Sequence, residues 1–216
     1  MSELVIYGIP GSPFVRAVQI AMEEKVAPWR MHAMQPSETK AEAHLARHPW
    51  GRMPAVEHDG FSLYETQAIV RYIDQVFPGA PLQPADAKSA ARMNQVIGIN
   101  DWYLFPKAVA VIGFQRIVGP ALMGLTTDEA VVAAAVPEAE RCVRALDGIL
   151  GQNPFLAGDG FSLAEVMIGP QMDFLGGTPE GEALLKGTQL GAWLERMRAR
   201  PSFEATLPPP MFRKAA

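Results

Sequence analysis

The sequence predicts an α/β domain followed by an all-helical domain. Three observations carry this. Residues 1–77 read as strand, helix, strand, then a hairpin and a second helix. The stretch Pro78-Gly79-Ala80-Pro81-Leu82-Gln83-Pro84-Ala85-Asp86 then interrupts every regular pattern. From residue 87 to 216 the apolar spacing is helical, and nothing reads as a strand.

The first strand is Leu4-Val5-Ile6-Tyr7, a continuous apolar run of the kind buried on both faces. Gly8-Ile9-Pro10-Gly11 breaks it. Ser12 before Pro13 is the N-cap followed by the N1 proline expected at a helix start. Phe14, Val18, Ala21 and Met22 fall at i, i+4, i+7 and i+8 on one face, carrying the helix to about Lys25. Trp29-Arg30-Met31-His32-Ala33 is the second strand. Strand–helix–strand implies a parallel pair with a right-handed crossover. Gln35 to Arg47 is polar, a loop or short helix, and His48-Pro49-Trp50-Gly51 is a turn.

Arg52 to Thr66 then holds a hairpin. Val56, Phe61 and Leu63 are apolar strand formers around Asp59-Gly60, the strongest short turn signal in the chain. Pro54 donates no ladder hydrogen bond, so it belongs at the first position of its strand, and its bond to Met53 is of the kind that can be cis. Thr66 to Val76 has the helical period, with Ala68, Ile69, Tyr72, Ile73 and Val76 as its apolar face. Thr66 therefore opens a helix, where unpaired backbone N–H groups and the dipole favour an anion; Glu65 and Thr66 also read as simple capping residues.

Beyond the linker the helical segments are about 85–117, 127–150, 162–174, 179–186 and 189–200. Ser162-Leu163-Ala164-Glu165 is a capping box, with Phe161 and Val166 placed for a hydrophobic staple. It is a folding signal and has no catalytic role. Glu23-Glu24-Lys25 and Glu138–Arg144 read as solvated helix faces.

Composition narrows the classes. Of 216 residues, 49% are apolar and 19% charged, with a net charge of −4, so the chain is globular and has no Lys/Arg block for nucleic acid or an anionic membrane. Cys142 is the single cysteine, which excludes an intrachain disulfide. It lies mid-helix and reads as a buried structural thiol. Met1-Ser2-Glu3 runs straight into a strand without a signal-peptide pattern, and no spanning helix is found, so the cytoplasm is the expected compartment. His32, His44, His48 and His58 lack metal spacing, and no metal is expected.

Taken together, Ser12-Pro13-Phe14-Val15-Arg16, Arg52-Met53-Pro54-Ala55-Val56, Glu65-Thr66, the proline-rich linker, the Ser162–Glu165 box and the ending Trp193-Leu194-Glu195-Arg196 to Arg200-Pro201-Ser202 resemble the soluble glutathione S-transferases over essentially the whole chain. The resemblance implies a thioredoxin-like glutathione-binding domain at 1–77, a linker at 78–86, and an all-helical electrophile-binding domain at 87–216. It implies a homodimer and glutathione as co-substrate. The Ser-Pro-Phe form is similar to serine-type members, tau-like or bacterial. By that resemblance Ser12 is the catalytic hydroxyl, Met53 before a cis Pro54 holds the cysteinyl backbone, Glu65 and Thr66 hold the γ-glutamyl amine and carboxylate, and Arg52 lies near the glycine end. The family more often has serine at Thr66; threonine keeps the hydroxyl and the helix-start N–H.

The chemistry such a site needs can be weighed. A thiol of pKa about 8.5 is only a few per cent ionised at neutral pH, and the thiolate is the nucleophile. Lowering the pKa by about two units requires about 2.7 kcal/mol. A hydroxyl donating to a charged acceptor supplies about 1.5–3 kcal/mol, and a helix N-terminus adds to it. Ser12 offers both, as donor to sulfur. Read alone, Ser12 is foremost an N-cap before Pro13; the Pro54 and Glu65-Thr66 elements reverse that reading. Tyr7 is a rival donor, although in the resemblance a catalytic tyrosine registers with Ile6, one residue away and on the opposite strand face. Trp102, Tyr103, Phe105, Phe114 and Met123 are candidate pocket residues or core. Two other functions share these motifs: a glutathione-binding protein with little turnover, and glutathione-dependent peroxide reduction.

Overall fold

The order of the strands, β2-β1-β3-β4, follows from the sequence pattern, with β1 at Leu4–Gly8, β2 at Trp29–Ala33, β3 at Ala55–His58 and β4 at Phe61–Tyr64. β1 and β2 are parallel, while β1–β3 and β3–β4 are antiparallel. The computed structural model of the chain describes residues 2–212; Met1 and residues 213–216, the last four of the expected helical domain, lie outside the described residues. Helix α1, Pro13–Glu24, makes the crossover between the parallel strands. The hairpin turns on Asp59 and Gly60, whose φ angles of 49° and 76° are those a two-residue turn of matching twist requires. The polar segment before it holds a 3₁₀ turn at Pro36–Lys40 and a single helical turn, α2, at Glu42–Leu45.

Helix α3, Thr66–Val76, follows the hairpin. Its buried side is Thr66, Ile69, Val70 and Ile73, not the stripe expected from Ala68 to Val76: Ala68 is exposed, and Val76 is 42% exposed. Tyr72 is half-buried, its hydroxyl 2.7 Å from His58 Nδ1. Lys25 is a second correction. It does not lie on a solvated face but is buried, its ammonium 2.9 Å from Asp74 Oδ1 and 3.1 Å from the Ala80 carbonyl. Glu23 and Glu24 are also engaged, accepting from Trp29 Nε1 and Ser202 Oγ.

The described residues form two units, 2–83 with Pro201–Pro208, and Pro84–Arg200 with 209–212. In the second, α4 (Ala87–Ile99) is capped by Asp86 and runs on through Asn100–Val109, α5 (Ala110–Gly113), Phe114–Val118 and α6 (Gly119–Met123). This run passes the expected end at 117, and its winding widens twice. The amides of Ala110 and Gly119 bond to carbonyls five residues back, Phe105 and Phe114, and Pro106 withholds an N–H within the first widened stretch. Then come α7 (Glu129–Leu150), α8 (Leu163–Gly176), α9 (Pro179–Leu185) and α10 (Gln189–Arg198). The capping box at α8 is complete: Ala164 N–H donates to Ser162 Oγ, and Ser162 N–H to Glu165 Oε2. Arg116 clamps this unit through Glu129 and Glu180.

A last short helix, α11 (Pro201–Ala205), belongs to the sheet-bearing unit. There Phe203 is fully buried under the Arg16 guanidinium, 5.4 Å away, and Arg16 Nη2 donates to the Phe203 carbonyl. Among the described residues no helix is long and apolar enough to cross a membrane.

Candidate active site at one end of the sheet

Strand pairing decides which segments meet. β1 runs out at Gly8 towards Ser12. Its antiparallel neighbour β3 begins at Ala55, opposite Tyr7, so Arg52-Met53-Pro54 arrive where β1 leaves. β4 ends at Tyr64, opposite Ala55, so Glu65-Thr66 issue from the same end. The Ile9 amide donates to Met53 Sδ at 3.3 Å, tying the first segment to the second. Six residues scattered through the sequence, Ser12, Arg52, Met53, Pro54, Glu65 and Thr66, thus come to one end of one sheet.

Ser12 holds the N-cap position of α1 with extended backbone, φ −63° and ψ 126°, yet its hydroxyl makes no capping bond. Its amide donates to the Ile9 carbonyl at 3.2 Å and its carbonyl accepts from Arg16 at 2.9 Å. The backbone is therefore fixed on both sides while the side chain, half-buried, is not spent on the helix. A working cap contributes about 1 kcal/mol, so its absence is a departure from the local expectation.

The Met53–Pro54 bond is cis. Arg52 before it is exposed, and its carbonyl accepts from His44 Nε2 at 2.7 Å. Gly51 turns the chain at φ 58°, and a Cβ there would strike the Thr39 carbonyl and the Lys40 side chain. Lys40 lies against this turn with its ammonium 3.0 Å from the Trp50 carbonyl, a second cation beside Arg52. Glu65 caps α3 in position only. Its φ of 69° is left-handed, which costs a non-glycine residue about 1–2 kcal/mol, and its side chain makes no cap bond. The start of α3 keeps its dipole unmatched by a capping side chain. Thr66, the first helical residue, is buried.

Tyr7 is committed elsewhere. Its hydroxyl donates to Glu57 Oε2 at 2.8 Å, and the Arg47 guanidinium lies 4.1 Å from its ring centroid while bonding Glu57 Oε1. Burial and the Glu57 carboxylate push the phenol pKa above its ordinary value, so it is a poorer proton source for a thiolate. Cys142 is buried in the helical unit, and burial pushes its thiol up to about 11. Trp102, Tyr103, Phe114 and Met123 are surface residues of the second unit, 39–74% exposed. Among the described residues no group of His, Cys, Asp and Glu has the makings of a metal site.

Sequence reasoning passed over Lys40 here and weighed His44 and His48 only as metal ligands. His48 is buried with Nδ1 unpartnered, its ring 4.9 Å from that of Tyr64. The spacing of His44 and His48, four residues apart at a helical turn, was the available signal.

The family model described as "Glutathione S-transferase, N-terminal domain" matches residues 6–81, and "Glutathione S-transferase, C-terminal domain" matches 129–203. The chain is 31% identical to "Glutathione S-transferase 3" of Zea mays over 97% of its own length and 98% of the relative's. Of solved structures, glutathione S-transferase III in apo form superposes with a TM-score of 0.85 at 31% identity, covering 96% of this chain and 99% of that one. Glutathione S-transferase-I bound with lactoylglutathione superposes at 0.83 with 25% identity, covering 94% and 97%.

Proposed function

The chain belongs to the glutathione S-transferase family, and from that premise we propose that Ser12 ionises the thiol of glutathione held at this end of the sheet, for attack on small apolar electrophiles. Glutathione is the co-substrate and the activity is that of a glutathione transferase. Residues 1–77 form the glutathione-binding domain and 87–216 the electrophile-binding domain in this reading, joined by 78–86. Ser12 makes the protein a serine-type member, tau-like or bacterial in its Ser-Pro-Phe form. A cytoplasmic homodimer completes the proposal.

One observation carries the assignment. The Ser12 hydroxyl stands at a helix start without capping it, on the same sheet end as Met53–Pro54 and Glu65-Thr66. A donor aimed at sulfur stabilises the thiolate over the thiol by about 1.5–3 kcal/mol, near the 2.7 kcal/mol that two pKa units demand. The thiol proton leaves to solvent, the thiolate forms a C–S bond to the electrophile, and the leaving group departs with its electron pair. Ser12 exchanges no proton in this step. The Met53 backbone pairs with the cysteinyl unit, the start of α3 with Thr66 takes the γ-glutamyl carboxylate, Glu65 takes its amine, and Arg52, seconded by Lys40, takes the glycine carboxylate.

The test is conjugation of glutathione to a generic aromatic halide by wild type and Ser12→Ala, with glutathione affinity measured on both. The expected result is a fall of about a hundredfold or more in kcat/KM at nearly constant affinity. Equal rates in the two proteins would overturn the assignment of Ser12, and a wild type inert towards several electrophiles would overturn the transferase reading.

A further inference from the structure

Behind the two segments assigned to glutathione lies a pair of imidazoles that the transferase reading does not use. His44 and His48 sit one helical turn apart, each 3% exposed, their rings stacked with centroids 6.3 Å apart. His44 Nε2 lies 2.7 Å from the Arg52 carbonyl. A carbonyl only accepts, so this nitrogen carries the hydrogen, and the lone pair of neutral His44 is on Nδ1. That Nδ1 is buried with no partner, and so is Nδ1 of His48. Neither imidazole therefore has an acceptor waiting for an N–H at this atom.

The pair touches both walls of the site. His44 holds the carbonyl of Arg52, next to Met53. His48 accepts the Gly51 amide at its own carbonyl, 2.7 Å away, and so closes the turn that delivers Arg52. Its ring packs at 4.9 Å on Tyr64, the residue before Glu65, and edge-on at 6.3 Å to Trp50. Tyr64 and Trp50 are themselves in contact, 5.8 Å between centroids. The Arg52–Met53 segment and the Tyr64–Glu65 segment are thus joined through an uncharged aromatic cluster centred on His48.

We propose that His44 and His48 are positioning residues for the two glutathione-binding segments, and that His48 joins these segments only while uncharged, and so imposes an acid limit on glutathione binding. The charged groups facing His48 are the Glu65 carboxylate, which favours protonation, and His44 and the Arg52 guanidinium, which oppose it; Lys40 stands beyond Trp50. Burial opposes protonation most, so His48 keeps its neutral form below the ordinary 6.5. When acid does charge it, an ion forms on a buried ring whose Nδ1 has no acceptor, its contacts with Tyr64 and Trp50 open, and the two segments part.

This inference rests on the glutathione reading of the site, and its test separates the two. S-methylglutathione, which has no ionisable thiol, is titrated calorimetrically into wild type and into His48→Gln, a non-titrating replacement, between about pH 7.5 and about pH 5. Wild-type affinity is expected to fall about tenfold or more on the acid side of pH 6.5, while His48→Gln binds somewhat more weakly at neutral pH and stays flat to acid. The proton resonances of His48, followed in wild type alone, are expected to titrate at lower pH with S-methylglutathione bound than without it. This readout stands even where the variant fails to fold. Wild-type affinity that is normal at neutral pH and unchanged in acid would overturn the histidine proposal and leave the transferase reading intact. A His48 titration indifferent to ligand would overturn it too. No binding at any pH would remove the glutathione site itself, and the proposal with it.

Discussion

Asp74→Ala removes the anion from a buried ion pair, and its effect follows from what is left behind. Lys25 Nζ lies 2.9 Å from Asp74 Oδ1, with side-chain exposures of 2% and 6%. The same Oδ1 accepts the Leu82 amide at 2.8 Å, and Oδ2 accepts Gln83 Nε2 at 3.0 Å. Truncation leaves the ammonium with the Ala80 carbonyl at 3.1 Å and takes the acceptor from two further donors. Breaking a buried pair from one side costs about 3–5 kcal/mol. For a chain of this size that is a drop of about 6–20 °C in the Tm of the sheet-bearing unit. Lys25→Met combined with Asp74→Leu removes both charges and is expected to recover most of the loss. Thermal and urea unfolding at neutral pH, followed by circular dichroism and tryptophan fluorescence, measures all three proteins. A loss below about 1 kcal/mol, the value of an exposed pair, would refute the reasoning, as would a double variant no better than the single one. The sign with pH is also fixed. Burial alone would raise the Asp74 pKa, but the Leu82 amide, Lys25 and Gln83 outweigh it and hold the carboxyl below its ordinary 3.8. A depressed carboxyl contributes stability above its unfolded value and loses it as pH falls through the folded one. Wild type therefore sheds this contribution only below about pH 4, and Asp74→Ala has none to shed.

Val26 is β-branched, 92% exposed and held at φ 49°, so Val26→Gly is expected to stabilise the protein by about 1 kcal/mol, read as a higher urea midpoint; an unchanged or lower midpoint would contradict it. Glu65→Gly relieves a similar left-handed strain, and the two readouts should move in opposite directions: stability up by about 1 kcal/mol, glutathione affinity down about tenfold or more by calorimetry. Affinity unchanged in that variant would remove Glu65 from the site. In the helical unit burial lifts Glu165 to about 7 against the pull of the Leu156 amide and Ser162. A raised carboxyl gives stability that is full below the ordinary 4.5 and lost as pH rises towards 7, so the urea midpoint of wild type should decline across that window. A midpoint rising through it would show that the hydrogen bonds outweigh burial.

The sheet was legible because its signals are local. Asp59-Gly60 supplies two left-handed residues in a row, the Ser12-Pro13 and Ser162–Glu165 starts are helix punctuation, and three prolines stop the chain between units. What escaped depends on partners distant in sequence. The charge of Lys25 looked solvated because Asp74 is 49 residues away. The face of α3 was misjudged because two stripes, one through Ala68 and Val76 and one through Thr66 and Val70, share Ile69 and Ile73, and only the packed structure selects between them. The run from Ala87 to Met123 outlasts its expected end at 117 because the second widened turn, Phe114–Val118, leads straight into Gly119–Met123, with Pro120 in its first turn. At the candidate site, the six residues singled out from sequence do share one end of the sheet. The left-handed angle of Glu65 left no trace in the sequence, and the four-residue spacing of His44 and His48 was weighed only against metal binding. A backbone angle has no letter, and a buried neutral histidine looks like any other.

The most direct test of the central claim is the ionisation of enzyme-bound glutathione, followed by thiolate absorbance in the ultraviolet across pH. Wild type is predicted to bring the thiol from about 8.5 down to about 6.5, and Ser12→Ala to return it close to the free value at little change in affinity. A thiol that stays equally acidic without the hydroxyl would contradict the account.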